Sequence, residues 1–144
     1  MEVSAVLFSF SIGLLIFAAD YCQADMEIVN LLELSERAEL REWLVLNHAT
    51  VRECWVVTYR KNRPEWPALL YLDVVEEALC FGWIDSTSKK LPDGRLVQRL
   101  SPRRRGSHWT DLNKERCRDL EQRRLMTQAG RDALLAALQA RDRR

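Results

Sequence analysis

"EEALCFGWIDSTSKK", residues 76–90, decides how this chain folds. An apolar run, Ala78-Leu79-Cys80-Phe81, follows the acidic pair, and Gly82 separates it from "WIDSTSKK". Val75, Ala78, Leu79 and Gly82 stand three and four apart, the spacing of one helical face. Gly82 carries no Cβ, so it can take the left-handed conformation that stops a helix. Ile84 to Leu91 reads as a strand. "LPDGRL" (91–96) then has the x-Pro-Asp-Gly-x form of a turn, and Leu96 to Leu100 supplies the returning strand. The stretch therefore predicts a helix, a glycine stop and a β-hairpin over 84–100.

The flanks extend this pattern. Asp73-Val74-Val75-Glu76 has the form of a capping box, with Asp73 as the cap. "ECWVVTYRK" (53–61) is β-branched and aromatic and reads as a buried strand, while Pro64 and Pro67 mark 62–68 as a loop. Ser35 reads as the N-cap of a helix over 36–47, with Glu36 in its first turn and Leu40, Trp43, Leu44 and Asn47 on one face. Glu27 to Leu32 is a candidate first strand. After the hairpin, "SPRRRGSHWT" (101–110) is a basic loop. Thr110 or Asp111 caps a helix through Arg124, with Leu112, Cys117 and Leu120 turned inward. Thr127 caps a last helix bearing Ala133, Leu134, Ala137 and Leu138, and "ARDRR" reads as a frayed tail. The order predicts an α+β domain over 26–144: a small antiparallel sheet with a β-hairpin, flanked by about four helices.

The chain has 144 residues, 47% apolar and 30% charged, enough for one domain with a modest core. Its net charge of +1 conceals an uneven distribution. Residues 26–88 carry eleven acids and six bases; residues 89–144 carry seven acids and sixteen bases. Two explanations are open: a basic surface paired internally with the acidic half, or a surface for an anionic partner. Residues 1–25 form an apolar leader, uncharged from Val3 to Ala19. It is short for a membrane span, and it lacks the basic start of a signal peptide. A translation start at Met26 ranks first and implies a cytoplasmic protein. Export or membrane anchoring through residues 1–25 is the alternative.

Five segments together resemble one family: "LREWLVLNHAT" (40–50), "WVVTYRK" (55–61), "VVEEALCFGWIDSTSKKL" (74–91), "QRLSPRRRGSHWTDLNKERCRDL" (98–120) and "GRDALLAA" (130–137). They are similar to the YdeI/OmpD-associated, or bacteriocin-protection, family of small bacterial proteins. The resemblance covers about residues 26–140. It implies a role in resistance to antimicrobial peptides, a non-enzymatic action by binding, and association with an outer-membrane protein. It carries no catalytic residue. Two features depart from the family: the apolar leader, and the lack of the helical C-terminal region that many members have.

The chemistry-bearing residues favour binding over catalysis. Cys22, Cys54, Cys80 and Cys117 form no CxxC, and His48 and His108 stand alone, so no metal set is expected. Cys80 lies near a helix C-terminus in apolar surroundings, where a thiolate is disfavoured, so it reads as a core thiol. Paired catalytic carboxylates and glycine-rich phosphate loops are missing from the sequence, and no cofactor is expected. The candidate ligand site is the basic loop with its neighbours. Arg99, Arg103, Arg104 and Arg105 offer forks to phosphate or carboxylate. Ser101, Ser107 and Asn113 add donors, and Trp109 can stack on a ring. Lys89 joins if the hairpin presents it beside the loop. Trp83 and Asp85, at the helix-to-strand turn, would line the same pocket, with Asp85 orienting a loop arginine. The expected partner is an unidentified anionic ligand or protein, with nucleic acid among the alternatives.

Overall fold

The computed structural model describes residues 26–143. In chain order these form β1 (Leu31–Leu32), α1 (Arg37–Asn47), β2 (Cys54–Tyr59), β3 (Leu69–Leu70), α2 (Tyr71–Cys80), β4 (Trp83–Lys90), β5 (Leu96–Pro102), α3 (Asp111–Gln122) and α4 (Gln128–Arg141). This is an α+β fold with the expected hairpin. The antiparallel part of the sheet is β2-β5-β4. Two two-residue strands make the sheet mixed: β1 and β3 run parallel to β2, against Trp55–Val56 and Thr58–Tyr59. The apolar leader lies outside the described residues. Among the described residues no helix is long and apolar enough to cross a membrane.

Gly82 ends the helix as its sequence context predicts, with φ +72. Two helix starts differ from expectation. Glu36, not Ser35, is the N-cap of α1, and its backbone N–H donates to Glu39 Oε1 at 3.0 Å. Asp73 lies inside α2, whose N-cap is Leu70, because β3 runs directly into the helix. Thr110 and Thr127 cap α3 and α4 through their hydroxyls, which accept from the backbone N–H of Asn113 and Gly130. Leu112 is exposed rather than inward. It occupies the second position of α3, ahead of the turn that meets the core at Cys117 and Leu120.

Alternation along the strands divides the interior in two. Cys54, Val56, Leu100 and Trp83 face the helices and join Leu40, Leu44, Val74, Leu79, Leu120 and Met126 in the main core. Trp55, Val57 and Val97 face the other way, where Ala68 joins them and Ile28, Leu31, Tyr59 and Leu91 partly cover them.

Helix α4 reaches this body through a very close approach. A Cβ on Gly130 would lie 2.4 Å from the carbonyl oxygen of Cys80. That same carbonyl accepts from the Thr127 N–H at 3.1 Å and from its hydroxyl at 2.5 Å. Gly82 sits under Ala133 of the same helix. The end of α2 and the start of α4 are thus fitted at glycines, and α4 is held where the basic loop can lie along it.

Candidate functional site

The hairpin separates residues that the sequence suggested would share a pocket. Asp85 pairs with Leu100, a main-core residue, so Asp85 and Trp83 lie on the helix face. Lys89 pairs with Val97, and Arg99 pairs with Trp55, so both lie on the opposite face, as does Ser101. The cause is the two-residue period of the strand. Trp83 is a core residue: it is buried, its Nε1–H donates to the His48 carbonyl at 3.3 Å, and its ring meets Trp43 edge-on at 6.0 Å. Arg99 forms an ion pair with Glu53 and donates to Ser86 Oγ at 3.3 Å and Ser101 Oγ at 3.4 Å. The Lys89 ammonium donates to the Met26 carbonyl and lies 5.5 Å from the Trp55 ring.

Asp85 does not orient a loop arginine by direct contact. It accepts from the Tyr71 hydroxyl at 2.5 Å, and Arg60 stacks 3.6 Å above the Tyr71 ring. Burial, then the bond and charge of Asp85, raise the Tyr71 pKa, while Arg60 and Arg116 oppose the shift. Tyr71 therefore stays protonated as a donor. Asn113 Oδ1 accepts from Arg116 at 3.0 Å, and its N–H serves the Thr110 cap. Tyr71, Arg60 and Arg116 were not legible as a group, because 14 residues separate Tyr71 from Asp85 and only the fold joins them to Arg60 and Arg116.

The basic loop has a different character. β5 takes up Ser101 and Pro102, and the first residue after it, Arg103, is fastened to the helix stop: its N–H donates to the Gly82 carbonyl at 3.0 Å. The Arg103 guanidinium lies 3.8 Å over the ring of buried Trp109. Its other polar contact is long, 3.5 Å to the His108 carbonyl. Arg103 Nε is buried with no hydrogen-bond partner, and so is Ser107 Oγ. Burial pushes the Arg103 pKa down, against smaller opposing effects from Cys117 and from the charge of Asp85. Arg104 and Arg105 are exposed, and none of the ion pairs among the described residues involves Arg103, Arg104 or Arg105. Trp109, covered by Arg103, does not present its face to a base, contrary to expectation.

Three adjoining cavities follow this loop along α4. One, of 230 Å³, is lined by Arg103, Arg104, Arg105 and Trp109 against Ala133, Ala136 and Ala137. It shares Arg105, Gly106 and Ala136 with a second cavity of 140 Å³ that ends at Arg143. The third, of 370 Å³, lies beside Gly106 and is lined by Ser107, His108, Lys114 and Arg141. No Asp or Glu is among the described residues lining the three. The charged side chains lining the groove are therefore all cations, and its helix wall is mostly alanine with Leu138 and Gln139.

Nucleophilic thiol chemistry has little support. Cys54, Cys80 and Cys117 are buried, and burial pushes their thiols up to about 12, 11 and 11 respectively. Among the described residues no group of His, Cys, Asp and Glu is arranged to hold a metal ion.

These features define a small α+β domain with a basic groove between a loop and its last helix. The chain belongs to the family described as Domain of unknown function (DUF8412), whose model matches residues 32–133. That span includes the basic loop and reaches α4 at Ala133. No curated protein and no solved structure matches the chain.

Proposed function

We propose that this chain is a binding protein for a phosphate-bearing anion, held where the basic loop meets α4, and that it acts by binding rather than by catalysis. The observation that carries the reading is Arg103. Its guanidinium is half-buried with no carboxylate in ion-pair contact, its Nε has no hydrogen-bond partner, and the Ser107 hydroxyl of the same loop is a second buried group without one. Buried charges are normally paired, because desolvation is costly. An arginine fork matches the geometry of phosphate oxygens.

The peptide-resistance role implied by the family resemblance rests on the shared sequence segments, and no feature of the fold adds to it. A groove of positive sign would repel a basic peptide, so in such a role the groove would hold an anionic partner rather than the peptide.

Calorimetric titration with pyrophosphate and ADP at low and moderate salt tests the proposal. Saturable, salt-sensitive binding is expected. An Arg103→Ala/Arg104→Ala/Arg105→Ala variant should bind at least about tenfold more weakly, a loss of roughly 1.4 kcal/mol. Equal binding by that variant, or no binding by the unaltered protein, removes the proposal.

A further inference from the structure

Leu138 of α4 belongs to two cavities. It lines the 370 Å³ cavity of the basic loop, together with Ser107, Lys114 and Arg141. It also lines a cavity of 480 Å³ between α3 and α4, together with Cys117, Met126, Leu134 and Leu135. The second cavity is largely apolar, and Glu121, the one acid among its described lining residues, is already paired with Arg131 at 3.0 Å. Leu135 and Leu138 are 55% and 42% exposed, so α4 leaves apolar side chains open to water next to a cationic site. On the cationic side Lys114 is paired with Asp111 at 3.4 Å, but none of the ion pairs among the described residues involves Arg141. The two regions meet at a second point. The charge of Arg103, which lies over Trp109, acts on the Cys117 thiol, and Cys117 lines the apolar cavity.

We propose that the bound anion is an amphiphile: a phosphate headgroup at the basic loop, carrying one aliphatic chain that lies in the cavity between α3 and α4. This rests on the anion-binding reading above. The juxtaposition selects the ligand. A bare phosphate would leave the exposed leucines uncovered, and a purely apolar ligand would leave Arg103 Nε and the Ser107 hydroxyl without partners. One molecule with both parts satisfies both regions, because they share Leu138. Size favours a small molecule over a folded partner. A cavity of 480 Å³ lies within the usual range of roughly 300–1,000 Å³ for small-molecule sites. A helix about 10 Å across, or a second copy of the domain, could only lie over it. Met126 is unbranched and adaptable, which suits a flexible chain.

Calorimetric titration of the full chain with methyl, butyl, octyl and decyl phosphate, each below its micelle threshold, tests this. Pyrophosphate and neutral decyl glucoside are titrated in parallel. Affinity should rise with chain length, about two- to fourfold for each methylene buried. Decyl glucoside should bind at least about tenfold more weakly than decyl phosphate, because it lacks hydrogen bonds to a charged group. Leu135 lines the apolar cavity and none of the three cavities along the basic loop. Leu135→Gln should therefore weaken decyl phosphate binding about fivefold or more and leave pyrophosphate binding unchanged. If pyrophosphate binds but affinity is flat from methyl to decyl phosphate, the anion reading stands and the amphiphile inference falls. Decyl glucoside bound as tightly as decyl phosphate, or Leu135→Gln without effect on decyl phosphate, also overturns it. So does a dimer in sedimentation that Leu135→Gln disperses, since a second copy would then cover the cavity. If neither pyrophosphate nor any alkyl phosphate binds, both readings fall.

Discussion

Two places in this molecule withdraw arginine side chains partly from water and provide for them oppositely. Between α1 and α2, Arg37 donates to Glu77 at 2.6 Å, Glu76 at 2.7 Å and Asp73 at 3.2 Å. Arg41 adds a bond to the other Glu77 oxygen at 3.1 Å and one to the Leu125 carbonyl at 2.6 Å. Arg123 reaches Glu76 from beyond α3. One nitrogen, Arg37 Nη2, is left over. In the loop, Arg103 stacks on Trp109 with no carboxylate partner. The first group is closed by the protein's own acids and joins elements. The second is open, and that openness is what supports the proposed anion site.

The closed group should show the largest response to substitution. Glu77 is buried to 1% exposure and holds both Arg37 and Arg41. Glu77→Ala leaves two guanidinium groups facing a hole. Removing one partner of a buried pair costs about 3–5 kcal/mol, and the partial exposure of both arginines places this case near 3 kcal/mol. Urea unfolding should show a lower midpoint with an unchanged slope. A loss under about 1 kcal/mol would mean that the cluster is no more structural than the loop, and the contrast would break.

An intermediate effect is expected where the two regions are joined. Gly130→Ala places a methyl 2.4 Å from the Cys80 carbonyl oxygen, a backbone atom that cannot swing aside. Overpacking of this kind costs about 1–3 kcal/mol, and the better helix propensity of alanine returns up to about 1 kcal/mol. Helix α4 is also the wall of the groove, so its displacement should weaken phosphate binding while the Glu77 cluster stays intact. A variant with lowered stability and unchanged binding would show that the groove does not depend on where α4 sits.

Much of the frame was legible in the sequence, and the reasons are local. The helix stop at Gly82, the caps at Thr110 and Thr127 and the 91–96 turn are decided by residues within a few positions of one another. The candidate strand over 27–32 was legible but too long, since only Leu31–Leu32 pairs; β3 was hidden because two residues carry no periodicity and it exists only by pairing with β2. The site was legible in part. The basic loop was visible as composition, but its arginines' state depends on which acids are already taken, and Glu76 and Glu77 are committed to Arg37, Arg41 and Arg123. Grouping Lys89, Arg99 and Ser101 with Asp85 failed on strand alternation, with a register shift between Asp85 and Ser88 to complicate it further.

The smallest stability effect should come from Arg103 itself. Arg103→Met keeps the aliphatic stem over Trp109 and removes the charge. Removing the cation–π attraction to the ring costs about 0.5–2 kcal/mol. Against it, the variant no longer buries a guanidinium without a carboxylate, nor the unpartnered Nε, whose desolvation alone costs about 1–3 kcal/mol. The two nearly cancel, so the unfolding midpoint should move by less than about 1 kcal/mol in equivalent stability, while pyrophosphate binding drops about tenfold or more. That pairing of a small stability change with a large binding change is the reverse of what Glu77→Ala predicts. If Arg103→Met instead unfolds as readily as Glu77→Ala, then Trp109 and Arg103 form a structural unit, and the unpaired charge is a cost of folding rather than a site for an anion.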